Sequence, residues 1–100
     1  MMAKKILHLP IKRYWFNKIL SGEKKREYRK NTQYYHSRFK DKLGNIRIYD
    51  EIWFTAGYGR DKPFMRVEWK GLGSEPFDGI VFYVIELGDI LEVKNLEVKL

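Results

Sequence analysis

Gly22-Glu23-Lys24-Lys25-Arg26-Glu27-Tyr28-Arg29 is the stretch on which the reading of this 100-residue chain turns. It follows a segment with helical periodicity and places six charged side chains in eight positions. In an extended chain side chains alternate, so Lys24, Arg26 and Tyr28 point one way and Lys25, Glu27 and Arg29 the other. Charge on both faces keeps such a strand away from the middle of an apolar core, because burying an unpaired charge is costly. The strand has to border solvent or a cleft. A carboxylate flanked by cations has its charged form favoured and can hold a Lys or Arg in a fixed orientation. The combination suits a site that grips something anionic or polar. Lys24 and Glu27 face opposite sides of an ideal strand, so both reach one cleft only if the strand twists or bulges locally. Gly22 supplies backbone freedom for that distortion.

Outward from this stretch, residues 4–9 read as a short strand stopped by Pro10. From Ile11 to Ser21 the residues Ile11, Trp15, Ile19 and Leu20 form a helical stripe, with Pro10 at the helix start and Gly22 as the left-handed residue that ends it. Asn31-Thr32 cap a second helix over 33–42, with Tyr34, Tyr35, Arg38 and Phe39 on one surface and Gly44-Asn45 as its end. Residues 46–56 contain a strand in which Ile52, Phe54 and Ala56 share a face. Gly57 to Pro63 is a loop with hairpin chemistry. Met65, Val67 and Trp69 then alternate with Arg66, Glu68 and Lys70, giving one buried and one wet face. Gly71-Leu72-Gly73 and Glu75 to Gly79 read as turns, residues 80–87 as a central strand, Gly88-Asp89 as a turn and 90–93 as a short strand. Five or six strands with two helices make an α+β arrangement, and a curved sheet closing into a small barrel fits it. No internal repeat or linker interrupts the chain, so residues 1–100 form a single domain.

Composition narrows the function classes. The chain is 44% hydrophobic and 33% charged, a globular balance. The absence of cysteine excludes disulfides, thiolate metal sites and a Cys nucleophile. With His8 and His36 as its only histidines, a His-rich metal site is not expected, nor is a metal or any other cofactor. No signal-peptide-like apolar region opens the chain, and no apolar run approaches the ~20 residues of a membrane span. A cytoplasmic location without a membrane partner is the resulting expectation. The net charge of +7 is uneven: residues 1–47 carry 14 Lys/Arg against 3 acids, and residues 48–100 carry 6 against 10. That asymmetry argues for a polyanionic partner met mainly by the first half.

Gly22, Lys24, Glu27 and Arg29 spell G-x-K-x-x-E-x-R, and with it the chain resembles the ASCH (activating signal cointegrator homology) family of the PUA-like superfamily, whose signature this is. The resemblance extends to the order of elements: an opening strand Ile6-Leu7-His8-Leu9, a helix, the signature, and a closing run Phe82-Tyr83-Val84-Ile85-Glu86-Leu87. It implies a PUA-like small β-barrel of five to six strands with two helices covering its openings. It also implies a ligand cleft beside the barrel at Lys24, Glu27 and Arg29, and RNA or a nucleotide as the ligand. Some relatives are ribonucleases or amidohydrolases acting on acetylated cytidine. The amidohydrolase pattern carries Thr where Glu27 stands, so this chain offers no hydroxyl nucleophile there. Ribonuclease chemistry stays open, with Lys24, Glu27 and Arg29 as its natural catalytic participants.

Further candidates surround this set. Arg26 shares a face with Lys24 and joins the ligand-binding residues. Lys12, within the apolar arc of the first helix, reads equally as a snorkelling lysine or as an ammonium at the mouth of the cleft. Gly57-Tyr58-Gly59-Arg60 resembles a ligand-facing loop in which Tyr58 offers a stacking ring and Arg60 a cation, without the strand-turn-helix context of a phosphate loop. Tyr34, His36 and Arg38 mix rings and cations as single-stranded nucleic-acid binders do, while Tyr35 and Phe39 look like core. His8 reads as a hydrogen-bonded core residue. Three functions follow. The first is an RNA- or nucleotide-binding module. The second is a metal-independent RNA or nucleoside hydrolase in which lysine and carboxylate do acid-base work. The third is a protein-interaction module.

Overall fold

The computed structural model describes residues 3–57 and 60–96. In chain order the elements are β1 (Ile6–Ile11), α1 (Arg13–Leu20), β2 (Arg26–Lys30), α2 (Gln33–Phe39), β3 (Glu51–Ala56), β4 (Phe64–Phe77) and β5 (Ile80–Lys94). The arrangement is α+β, with two helices on one five-stranded sheet of order β1-β3-β4-β5-β2. β1 pairs parallel with β3, and the remaining ladders are antiparallel. No helix among the described residues is long and apolar enough to cross a membrane.

Alternation places the core. Leu7, Leu9 and Ile11 on β1 pair with Ile52, Phe54 and Ala56 on β3, and all six point inward and are buried. Met65 and Val67 on β4 and Tyr83 and Ile85 on β5 extend this layer, and α1 and α2 cover it with Phe16, Ile19 and Phe39. His8, on the opposite parity, is exposed and meets the Trp53 ring edge-on at 5.3 Å, so it is not a core histidine. The period of two decides this.

Pro10 lies inside β1 and neither stops the strand nor starts the helix. β1 is an edge strand, where a missing N–H breaks no ladder. Because Ile11 belongs to the strand, α1 begins at Arg13, and its inward residues are Phe16 and Ile19. Trp15, expected in the buried stripe, is instead 46% exposed. α2 starts as expected, with Thr32 accepting a hydrogen bond from the Tyr35 N–H, but it ends at Phe39. Lys40 turns extended and bridges to Ile46, and Asp41 closes the loop by accepting from the N–H groups of Leu43 and Asn45.

The glycine pairs expected to turn the chain at Gly71–Gly73 and at Gly88 do not. β4 and β5 run through them as one long bent hairpin, with register shifts between Arg66 and Gly71 and its turn at Asp78-Gly79. Gly88 is there for closeness, since a Cβ on it would sit 2.8 Å from the Glu68 Cβ and 2.7 Å from the Lys70 Cε. The expected barrel is not closed. β1 and β2 end the sheet and exchange no backbone ladder, because β2 pairs only with β5.

A buried carboxylate braces the middle of the sheet. Glu51 accepts from Arg66 Nε at 2.7 Å and Nη2 at 3.0 Å, from Lys4 Nζ at 2.8 Å and from the Trp53 indole at 3.0 Å. The Arg66 bonds, then those from Lys4 and Trp53, hold its carboxyl far below its ordinary value. A depressed folded-state value contributes stability that is fully present above the ordinary value of 4.5 and is lost as pH falls through the depressed one. Urea midpoints measured from pH 7 to pH 2.5 should therefore drop below about pH 4.5, and Glu51→Gln should lower the pH 7 midpoint while flattening that drop. In the core, Ile52→Ala should cost about 2–5 kcal/mol in urea denaturation. Ile48→Ala, at a residue 72% exposed, should stay within about 0.5 kcal/mol.

Candidate functional site

Lys24 is positioned by the end of α1. Ser21 caps the helix, and Gly22 adopts a left-handed φ of +86° and donates its N–H to Ile19 O at 3.1 Å. The chain then folds back so that the Lys24 N–H reaches Lys18 O at 3.0 Å, and an ion pair of 2.7 Å from Lys18 to Glu23 clamps the turn. β2 begins only at Arg26, so Lys24 precedes the strand. The expected twist or bulge within the strand is therefore not what brings Lys24 to Glu27. A helix cap does it.

Glu27 and Arg29 share the inward face of β2. Glu27 is 6% exposed, and its two oxygens divide between two cations. Oε1 lies 3.2 Å from Lys24 Nζ, and Oε2 accepts from Arg29 Nε at 3.0 Å and Nη2 at 2.6 Å. Arg29 also donates to the Tyr35 hydroxyl on α2 at 2.8 Å and to Pro10 O on β1 at 3.1 Å. One guanidinium thus spans the gap between the two sheet edges. Burial opposes its charge, but the Glu27 carboxylate and the Tyr35 hydroxyl outweigh burial and raise its pKa. Paired with both cations, Glu27 is set to orient Lys24 and Arg29.

A cavity of about 910 Å³ opens between β1, α1 and β2. Among the described residues, six cations line it (Lys12, Arg13, Lys24, Arg29, Arg60 and Lys62) against the single carboxylate of Glu27. Two rings, Trp15 and Tyr28, also line it, and Lys24 Nζ sits 5.1 Å from the Trp15 centroid and 5.3 Å from the Tyr28 centroid. An excess of positive charge with half-open aromatic walls can hold an anion and a flat ring together.

The sequence candidates fall on both sides of this boundary. Lys12, Lys24, Glu27, Arg29 and Arg60 come together in the cavity lining, although they lie on four separate segments. Lys12 is the N-cap residue just before α1 and is exposed. Arg26 does not join them. It points to the other side of β2 and pairs with Glu86 at 3.0 Å and Glu75 at 3.8 Å. Tyr58 lies outside the described residues. Tyr34 and Arg38 form their own exposed pair on α2, and His36 shares a hydrogen bond with the buried Tyr83, all away from the cavity lining. Trp15, Tyr28, Arg13 and Lys62 were not among the sequence candidates. For Trp15 the available signal was its setting, Arg13-Tyr14-Trp15 with Lys18 one turn on, the same mixture of rings and cations noted on α2. Lys62 has no such local signal. Among the described residues no three His, Asp or Glu side chains group as metal ligands.

Comparison of the chain with protein-family models, curated proteins and solved structures gave no match in any of the three. The geometry of the cavity is therefore what bears on function. Glu27→Gln should lower stability by about 1–3 kcal/mol in urea denaturation, since it leaves two partly buried cations without their carboxylate. Tyr34→Ala on the exposed face of α2 should change it by no more than about 0.5 kcal/mol.

Proposed function

We propose that the protein is an RNA- or nucleotide-binding module of the ASCH type, with a PUA-like barrel left open between β1 and β2 as its ligand cleft. The observation that carries this reading is the cavity lining among the described residues: six cations against one buried carboxylate, beside two aromatic rings. Phosphates match the cations, and bases match the rings. An acidic protein partner would meet the same charge but would leave the rings unexplained. The signature residues Lys24, Glu27 and Arg29 support the reading because they lie together in that lining.

Single-stranded RNA should bind saturably, with an affinity that falls steeply with salt as phosphate contacts release counterions. Each phosphate contact contributes about −0.7 to the slope of log K against log salt for a single strand. Arg60→Ala and Lys62→Ala should each weaken binding across sequences and flatten the slope by about that amount. Fluorescence anisotropy over a salt series measures both. Salt-independent binding, or none at low salt, would remove the reading, and cleavage of labelled RNA that Lys24→Ala abolishes would replace it with the hydrolase.

A further inference from the structure

The exposed ring wall of the cavity asks for a ligand of its own. Trp15 is 46% exposed and Tyr28 42% exposed, yet both rings are held rather than free. Lys24 Nζ lies within 5.3 Å of both ring centroids, and Glu27 pins that ammonium from a third side. Tyr14 meets Trp15 edge-on with centroids 4.7 Å apart and planes at 85°, which fixes the indole from its own helix. Two large rings thus stand in a set orientation at the cavity, with the cost of ordering them already met by the fold. The rest of the lining is different in kind. Among the described residues, the β1–α1 junction and the β3–β4 loop contribute the cations Lys12, Arg60 and Lys62. Among the described residues the two rings come from α1 and β2, and these three cations come from the junction and the loop.

We propose that the cavity takes a single unstacked nucleotide, its base against Trp15 and Tyr28 and its phosphate on Lys12, Arg60 and Lys62. The inference rests on the RNA- or nucleotide-binding reading and names the unit that this site accepts. A bare polyanion satisfies the cations and leaves the rings wet. A base inside a duplex is covered by its neighbours and cannot reach the ring wall. A nucleotide with a free base face satisfies both walls at once. Trp15 is then a binding residue, and Lys24, fixed between the rings, presents a cation where base and sugar-phosphate meet.

The test uses the intact chain at low salt, titrated with uridine 5′-monophosphate, with tripolyphosphate and with an oligouridine of about ten nucleotides. Uridine 5′-monophosphate should bind saturably and quench tryptophan fluorescence. Trp15→Ala should weaken it by about 5- to 150-fold, the range that stacking on one ring supplies, while tripolyphosphate binding is unchanged. Trp15→Phe should recover most of the loss, and Tyr28→Leu should show the same split between the two ligands. If Trp15→Ala and Tyr28→Leu bind the monophosphate as wild type does while the oligouridine still binds, the ring wall is not the base site although the RNA reading stands. Equal loss of the monophosphate and of tripolyphosphate in both variants also overturns the inference. No binding of the oligouridine by the wild-type protein removes both readings together.

Discussion

The ion pairs of Glu27 are the constraint around which this end of the molecule is organised. A carboxylate that is 6% exposed on an edge strand is tolerable only because Lys24 and Arg29 take both of its oxygens. In return it fixes Arg29, which reaches Pro10 O on β1 and the Tyr35 hydroxyl on α2. Three elements are tied together where the sheet has no backbone ladder. The result is an opening with a rigid, charged floor. A hydrogen-bonded seam between β1 and β2 would have closed the same space and left no cavity.

A second buried carboxylate shows why burial of charge alone does not mark a site. Glu51 is as deeply enclosed as Glu27 and accepts four hydrogen bonds, from Arg66, Lys4 and Trp53. Arg66 is balanced in turn by Glu92, and Glu92 by Lys94. Positive and negative partners alternate, and none of them lines the main cavity. Around Glu27 the sum differs, because five further cations stand near the one to which the carboxylate is most tightly bonded. Uncompensated charge of one sign around a concave surface raises the local concentration of the opposite ion, whereas a balanced network only stiffens the fold. On this ground the cavity, and not the Glu51 network, is the site we propose for binding.

The long β4–β5 hairpin follows from a similar local rule. Its two strands stay paired from Phe64–Lys94 to Phe77–Ile80, bending at shifts in register near Gly71. The bend leaves the tip beyond the covered part of the sheet, where Phe77, Ile80 and Val81 are exposed. Tyr28 on β2 lies between this tip and the cavity, lining both the main opening and a smaller apolar recess with Phe77 and Phe82. The ring wall of the site is thus continuous with the apolar flank of the hairpin.

Local pattern was enough for much of this. The alternation in Leu7-Leu9-Ile11, Ile52-Phe54-Ala56 and Met65-Val67 placed the core, because a period of two admits one inward set. The charges around Glu27 and Arg29 marked the strand, although Lys24 falls before it, and Gly22 and Thr32 marked helix ends through their own backbone and side-chain chemistry. Where neighbours in space set the outcome, local pattern misled. Pro10 stays in a strand because β1 is an edge. Gly71 and Gly88 stay in strands because a distant partner strand continues past them. Trp15 faces outward because Ile11 was drawn into β1, which moved the helix start and its phase. The gathering of Lys12, Arg60 and Lys62 beside the signature, and the opening between β1 and β2, were decided by the tertiary structure alone. Strand order sets which segments meet, and strand order depends on pairings between residues far apart in the chain, which no local periodicity encodes.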